Sequence, residues 1–169
     1  MGKLSSNGTV YERELRSILA GDEEKLAHLN WITKELKDRI KSKPFMVVRA
    51  AGSHGFDIIT IRQDISLPIE IKSSKEKVLN FSSSSNRSQL QAEAYRKLVS
   101  KTGVMPLYAF RLKKISGDPW RIFTLEGKYE GRYRLVSEIV PPLEVTKGGT
   151  YTMKWEKGLP LGSLLEYLF

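Results

Sequence analysis

The chain has 169 residues, of which 40% are hydrophobic and 28% are charged, proportions that suit one globular domain with a hydrophobic core. It contains no cysteine, which excludes disulfides, thiolate catalysis and cysteine-ligated zinc. The formal net charge of +9 favours a polyanionic partner, of which nucleic acid is the commonest, although a merely solvated basic surface is the alternative.

Hydropathy gives no indication of a membrane partner. No apolar run approaches the roughly 18–20 residues that are needed to cross a bilayer. The first ten residues lack the apolar core of a signal peptide. The sequence therefore predicts a cytoplasmic protein.

Two helical patterns come first along the chain. The first begins at a capping box formed by Thr9 and Glu12 and is interrupted at Gly21 and Asp22. Its apolar face consists of Tyr11, Leu15, Ile18 and Leu19. The second pattern ends near Pro44, and the spacing leaves open whether the two patterns form one bent helix or two. The residues at helical spacing in it are Leu26, Leu29, Thr33, Leu36 and Ile40.

The period then changes to that of strands. Residues 45–51, 56–62 and 67–73 are short and rich in β-branched side chains, and the turns between them are too short for parallel pairing. They predict a three-stranded antiparallel meander.

A helix and two more strands follow. A polar loop over 81–86 precedes a helix over 88–101, with a Ser88/Gln91 capping box and Gly103 as its stop. Its predicted inward face consists of Leu90, Ala94 and Leu98. Strands over 106–113 and 120–126 follow, and the helical crossover makes the third and fourth strands parallel. The prediction is an α/β fold with a mixed sheet of about five strands flanked by helices, and 127–157 as strand-like pieces in loops.

Three side chains on the meander suggest chemistry. Asp57 opens the second strand, and Glu70 and Lys72 point to one face of the third, while Ile71 faces the core. Two carboxylates at one sheet edge can hold a hard cation such as Mg²⁺, with Mn²⁺ as a possible substitute. A lysine beside them can stabilise negative charge on a reacting phosphate. A solvent-facing Glu/Lys pair is the structural alternative.

The order of short motifs makes the pattern more specific, and it resembles the archaeal Holliday-junction resolvases, a family of PD-(D/E)xK nucleases. The likeness touches nearly the whole chain. The matching motifs are YEREL at 11–15, VRAAGS at 48–53, FDII at 56–59, IEIKSS at 69–74, Gln91, PLY at 106–108, WRIF at 120–123 and GLPLGSLL at 158–165.

The resemblance implies a restriction-endonuclease-like fold and a Mg²⁺-dependent endonuclease that cuts four-way DNA junctions as a homodimer at the nucleoid. The residues 1–169 would form a single nuclease domain, and a helical insertion predicted over 22–42 departs from the family pattern. A nuclease of the same fold that acts on duplex or flap DNA, and a non-cutting DNA-binding module, are the alternatives.

The resemblance also implies roles for individual residues. The metal set would be Glu12, Asp57, Glu70 and the backbone carbonyl of Ile71. Lys72 would be the catalytic lysine, Ser53 would lie near the scissile phosphate, and Gln91 would orient water or metal. Arg13 and Arg49 would contact DNA.

Several of these residues also have a structural explanation, and further residues are candidates for binding. Glu12 and Gln91 also close their capping boxes, and Glu14 is an alternative partner in the site. Ser53 fits a simple turn, and Arg49 fits an edge-strand charge. Three further cations flank the polar loop and are predicted to meet phosphates, namely Lys75, Lys77 and Arg87. The apolar residues Leu165, Leu168 and Phe169 suggest packing at a dimer interface or, as an alternative, docking on a sliding clamp.

Overall fold

The computed structural model describes residues 7–50, 55–82 and 86–169 of the chain. The helices in these ranges are α1 Asn7–Leu19, α2 Glu23–Ala27, α3 Lys34–Ser42, α4 Arg87–Thr102, α5 Gly131–Ser137 and α6 Leu161–Leu168. The strands are β1 Met46–Arg49, β2 Ile58–Arg62, β3 Ile65–Ser74, β4 Val78–Asn80, β5 Leu107–Leu112, β6 Trp120–Thr124, β7 Glu144–Val145, β8 Tyr151–Lys154 and β9 Leu159–Pro160. A 3₁₀ turn covers Trp155–Lys157.

The principal sheet has six strands in the order β1-β2-β3-β5-β6-β9. All neighbours are antiparallel except β3 and β5, which are parallel because α4 forms the crossover between them. The predicted meander and the predicted parallel pair are therefore confirmed. The estimate of about five strands omits the two-residue β9, and it also omits a second sheet of order β4-β8-β7.

The principal sheet is covered on both faces. Along β5, Leu107 and Ala109 join a core with α1, α2, α3 and α6, whereas Tyr108 and Phe110 join a core with α4 and the small sheet. This alternation follows from the two-residue period of a strand. On β3, the same alternation turns Ile69 toward the first core and its neighbour Glu70 toward α4.

The two helical patterns near the N-terminus need one correction each. Helix α1 begins at Asn7, so Thr9 lies inside its first turn and does not form the predicted capping box with Glu12. The second pattern forms two helices, because the Thr33 hydroxyl accepts a hydrogen bond from the Leu36 N–H at 3.2 Å and starts α3 afresh.

Helix α4 buries a different face from the predicted one. Leu90 and Leu98 are 60% and 42% exposed, so they point to solvent. The buried residues are Gln89, Ala92, Tyr95 and Val99. Gln89 can lie inside because its amide bonds the backbone of Tyr151 and Gly149. The helix begins at Arg87, so the Ser88/Gln91 capping box is absent too, whereas Gly103 ends it with φ +69° as predicted.

The C-terminal part of the chain contains two helices that the sequence pattern did not identify. Helix α5 lies in the segment predicted as strand-like pieces. On α6, Leu165 and Leu168 are buried in the protein's own core. That burial removes both residues as a docking segment for a sliding clamp or as a dimer interface. No helix in the described ranges is long and apolar enough to cross a membrane.

Candidate active site

Asp57 immediately precedes β2, at the point where the meander meets the end of β1. Its backbone N–H donates to the Ile69 carbonyl at 3.1 Å, which continues the β2–β3 ladder by one residue. Its side-chain Oδ2 accepts from the Ile71 N–H at 2.7 Å. Since the N–H and C=O of one residue in an extended strand point to the same side, the Ile71 carbonyl also faces this edge.

Glu70 and Lys72 lie on the face of β3 that α4 covers. Glu70 is only 5% exposed. The Lys72 Nζ lies 3.0 Å from Glu70 Oε1 and donates to Gln91 Oε1 at 3.3 Å. The structure therefore brings Asp57, Glu70 and Lys72 together around one edge of the sheet, as their spacing predicts, and Gln91 lies with them, as the resemblance implies.

Two residues that the sequence did not single out complete this group. Tyr95, one helical turn after Gln91, donates from its hydroxyl to Glu70 Oε2 at 3.2 Å. The carbonyl of Gly55 accepts from Gln91 Nε2 at 2.8 Å and from the Tyr95 hydroxyl. The sequence signal for Tyr95 is its spacing of four residues from Gln91, which places both side chains on one helix face.

The electrostatics of the group follow from burial and from like charge. Burial, together with the nearby Asp57 carboxylate, raises the pKa of Glu70 to about 6 against the opposing effect of the Lys72 ammonium. Burial also raises the pKa of Asp57, which the Ile71 N–H and the Lys72 and Arg49 cations partly offset. The buried carboxylate of Glu70 and the half-buried one of Asp57 repel each other, and a bound cation would balance their negative charge.

The donor set suits a hard divalent cation. Carboxylate and carbonyl oxygens are the ligands that Mg²⁺ takes, and it is commonly bound by one or two carboxylates with water and substrate phosphate in the other positions. Within residues 7–50, 55–82 and 86–169, no group of three or more His, Cys, Asp or Glu side chains lies close enough to hold a metal. The protein thus offers two carboxylates here, fewer than the acidic set of three that the resemblance implies.

Glu12 accounts for that difference. Its Oε1 lies 2.8 Å from Arg49 Nε and 3.7 Å from Arg16 Nη1, so the arginines on α1 and β1 hold it. Glu14, the alternative partner, pairs instead with Arg111 at 3.0 Å and accepts from the Trp120 indole at 3.4 Å. Glu14 is therefore a link between α1 and the sheet, and the structure does not place it in the site.

An open cleft of about 320 Å³ lies at the carboxylates. It is lined by Gly55, Phe56, Asp57, Glu70, Lys72, Arg87, Ser88 and Gln91. Arg87 therefore lies beside the carboxylates, and Arg13 and Lys75 are exposed. Lys77 is exposed as well but forms an ion pair with Glu156. Ser53 lies outside the described residues.

The chain is similar to known proteins both in sequence and in fold. The sequence profile of the archaeal Holliday junction resolvase family (Hjc) matches residues 30–147, more than half of the chain. The structure is similar to that of Archaeoglobus fulgidus Hjc, a Holliday junction resolvase from an archaeal hyperthermophile, with a TM-score of 0.56 and 21% identity over 95% of this chain and 97% of that one. That likeness shows a shared fold. No curated protein matches the chain. On the family match, this chain belongs to the archaeal Holliday junction resolvases, which are endodeoxyribonucleases.

Proposed function

We propose that this member of the family cuts four-way DNA junctions by Mg²⁺-dependent phosphodiester hydrolysis at the cluster of Asp57, Glu70 and Lys72. One observation carries the proposal: two carboxylates and a lysine, 3.0 Å from one of them, converge in an open cleft with Arg87 on its rim. The net charge of +9 supports a polyanionic substrate.

The carboxylates of Asp57 and Glu70 and the carbonyl of Ile71 would hold the cation. When bound, Mg²⁺ supplies Lewis-acid polarisation of a phosphoryl oxygen, and Mn²⁺ is the expected substitute. Asp57 keeps one oxygen on the Ile71 N–H, which fixes the plane of its carboxylate. The protein therefore contributes ligands that are already oriented before the substrate arrives.

Lys72 would stabilise charge on the reacting phosphate. Its ammonium is held by Glu70 Oε1 and Gln91 Oε1, so it sits at the cleft with two of its three donors engaged. The third donor can reach a phosphate oxygen. Gln91 would orient Lys72 through their hydrogen bond. The resemblance implies that Gln91 also orients water or metal and that Ser53 lies near the scissile phosphate.

Glu12 would join the metal site only after it leaves Arg49. The two side chains are 2.8 Å apart, and the Arg49 side chain is 53% exposed, so a DNA phosphate can compete for it. Arg49 and Arg13 would then bind the backbone of DNA while Glu12 becomes available. Substrate binding and completion of the acidic set are thereby linked.

A homodimer would supply the two active sites that cutting two strands of a junction requires. Sedimentation analysis tests the dimer, and a monomer at the concentrations that support cutting would contradict it.

Apolar residues of α2 and α3 join the same core as α1 and α6, which supports one nuclease domain over 1–169, with 22–42 as an insertion in it. The nucleoid is the expected location of such an enzyme.

Cleavage of matched DNA substrates tests the proposal. Four-way, flap and linear duplex DNA of equal length are incubated with and without Mg²⁺. We expect paired nicks on the four-way junction only, and only with the cation. Cutting of plain duplex at a fixed sequence would contradict junction resolution.

Replacement of Glu70 tests the assignment of the site. Glu70→Ala should abolish cutting and leave junction binding intact, because the carboxylate holds the cation and contacts no base or phosphate directly. The matched control is Glu138→Ala, which removes an exposed carboxylate at the end of α5. If Glu70→Ala also loses binding while Glu138→Ala does not, Glu70 is structural.

A further inference from the structure

Tyr95 is a buried side chain whose polar contacts with the described residues lie at the candidate site. It is 3% exposed. Its hydroxyl donates to Glu70 Oε2 at 3.2 Å and to the carbonyl of Gly55. A hydroxyl has one proton, so it serves one of these acceptors at a time, and both hold the oxygen above the same edge of the sheet.

The matching spacing of α4 and β3 explains why Tyr95 meets Glu70. Four residues along a helix rise about 6 Å, and two residues along a strand advance about 6.6 Å. Helix α4 runs in the direction opposite to β3. Gln91 therefore reaches Lys72, and Tyr95, which comes later on the helix, reaches Glu70, which comes earlier on the strand. The helix therefore presents one hydrogen-bonding partner to each of the two residues on the strand.

The ring of Tyr95 is fixed on its other side. It stacks on Phe56 with ring centroids 3.8 Å apart and an angle of 11° between the planes. Gly55 has φ +84°, and a Cβ there would lie 3.1 Å from the Tyr95 ring and hydroxyl. The stack and the close backbone leave the hydroxyl little freedom to move away from Glu70.

We propose that Tyr95 is a positioning residue, which holds the Glu70 carboxylate in the orientation that binds the divalent cation. The inference rests on the proposed function, since it assigns Glu70 to the metal. Hydrogen bonds to a ligating carboxylate restrict its rotation, and loss of such partners commonly weakens metal binding. Tyr95 itself touches neither the phosphate nor the metal.

The test variant is Tyr95→Phe, which removes the hydroxyl and keeps the stack on Phe56. The matched control is Tyr108→Phe. Tyr108 is fully buried beside Glu70 in the β3–β5 register, and its hydroxyl has no hydrogen-bond partner among the described residues. Both substitutions therefore remove one buried hydroxyl from the same core, and only one removes a bond to Glu70.

Metal affinity is measured directly, by the loss of the free Mn²⁺ signal in electron paramagnetic resonance, without DNA. We expect Mn²⁺ to bind Tyr95→Phe about 10-fold more weakly than wild type, and Tyr108→Phe to match wild type. The Mg²⁺ concentration for half-maximal cutting should rise in parallel for Tyr95→Phe, with the rate recovering at saturating Mg²⁺. Tyr95→Phe should stay folded with a modestly lower melting temperature, because it loses a buried hydrogen bond. Its metal-free junction binding should not change.

Each other outcome has a definite meaning. Equal Mn²⁺ affinity in wild type and Tyr95→Phe overturns the inference, and so does an equal loss in both variants, which would reflect general packing of the core. A rate of Tyr95→Phe that stays low at saturating Mg²⁺ would also overturn it, because Tyr95 would then act on the reaction itself. Absence of cutting by the wild type would instead contradict the proposed function, whatever the Mn²⁺ result.

Discussion

Glu70 is a carboxylate whose position costs stability in the metal-free protein. It is buried, its pKa is raised to about 6, and Asp57 repels it. A carboxyl group with a raised pKa is least favourable to the fold when it is ionised, which is above that pH. Such costs are common where a site is arranged for chemistry and not for packing.

Replacement of Glu70 by Gln should therefore stabilise the metal-free protein at pH 8. The rise in the pKa of Glu70 from its ordinary value of 4.5 to about 6 corresponds to about 2 kcal/mol in the free energy of unfolding. The gain should shrink as the pH falls through about 6, because wild-type Glu70 then becomes protonated and loses its charge in the fold. Denaturant unfolding at pH 8 and pH 5 with a chelator measures this, and a less stable Gln variant at pH 8 would refute it.

At the scale of elements, α4 shows how packing decides which face of a helix is buried. Ala92 is fully buried against the sheet, and Ala94, two residues later, points to solvent. Leu90 and Leu98 share the outer side with Ala94. The helix therefore places its polar contacts, and not its largest aliphatic residues, against the sheet.

A pair of alanine substitutions on α4 tests this orientation. Ala92→Leu inserts a larger side chain into a filled core and should lower the free energy of unfolding by about 1–3 kcal/mol. Ala94→Leu should change it by less than about 0.5 kcal/mol, because the site is exposed. Urea unfolding monitored by circular dichroism compares the two. A larger loss for Ala94→Leu would mean that the predicted inward face is the correct one.

The sequence predicted the strands better than the helix faces, and the reason is physical. The period of two on β3 and β5 is a local property, so it assigned Glu70 and Lys72 to one face without knowledge of their neighbours. The inner face of α4 depends on Gln89, whose burial requires partners about 60 residues away in the chain. No local pattern contains those partners.

The candidate site divides in the same way. The spacing of Asp57, Glu70 and Lys72 predicted their convergence, since the turn between β2 and β3 is short. The Arg49 ion pair that occupies Glu12, and the hydroxyl of Tyr95 above Glu70, depend on how α1 and α4 pack on the sheet. These contacts follow from tertiary structure alone.

At the scale of the whole molecule, the dominant property is a charge of +9 on 169 residues. Phosphate contacts by lysine and arginine release counterions, so binding to DNA weakens as salt concentration rises. Exposed cations lie on α1 at Arg13, on β1 at Arg49 and at the start of α4 at Arg87, and Arg87 lines the cleft of the candidate site. We therefore expect junction affinity to be strongly salt-dependent.

Fluorescence anisotropy with a labelled four-way junction at several salt concentrations measures this dependence. Arg49→Gln should weaken binding and reduce the slope of log affinity against log salt by about 1, because it removes one phosphate contact. Arg134→Gln, which removes an exposed arginine from α5, is the control and should leave the slope unchanged. An equal slope for wild type and Arg49→Gln would show that Arg49 does not touch the backbone of DNA.

The contacts of Glu14 limit how the first helix can take part in the reaction. Glu14 binds both Arg111 and the Trp120 indole, and the Arg111 guanidinium carbon lies 4.4 Å from the centroid of the Tyr11 ring. Helix α1 therefore cannot slide along the sheet without breaking several of these contacts at once. Any approach of Glu12 to the cation is then a rotation about its own side-chain bonds. The length of the Glu12 side chain, extended from a fixed α1, therefore limits how close its carboxylate can come to a bound cation.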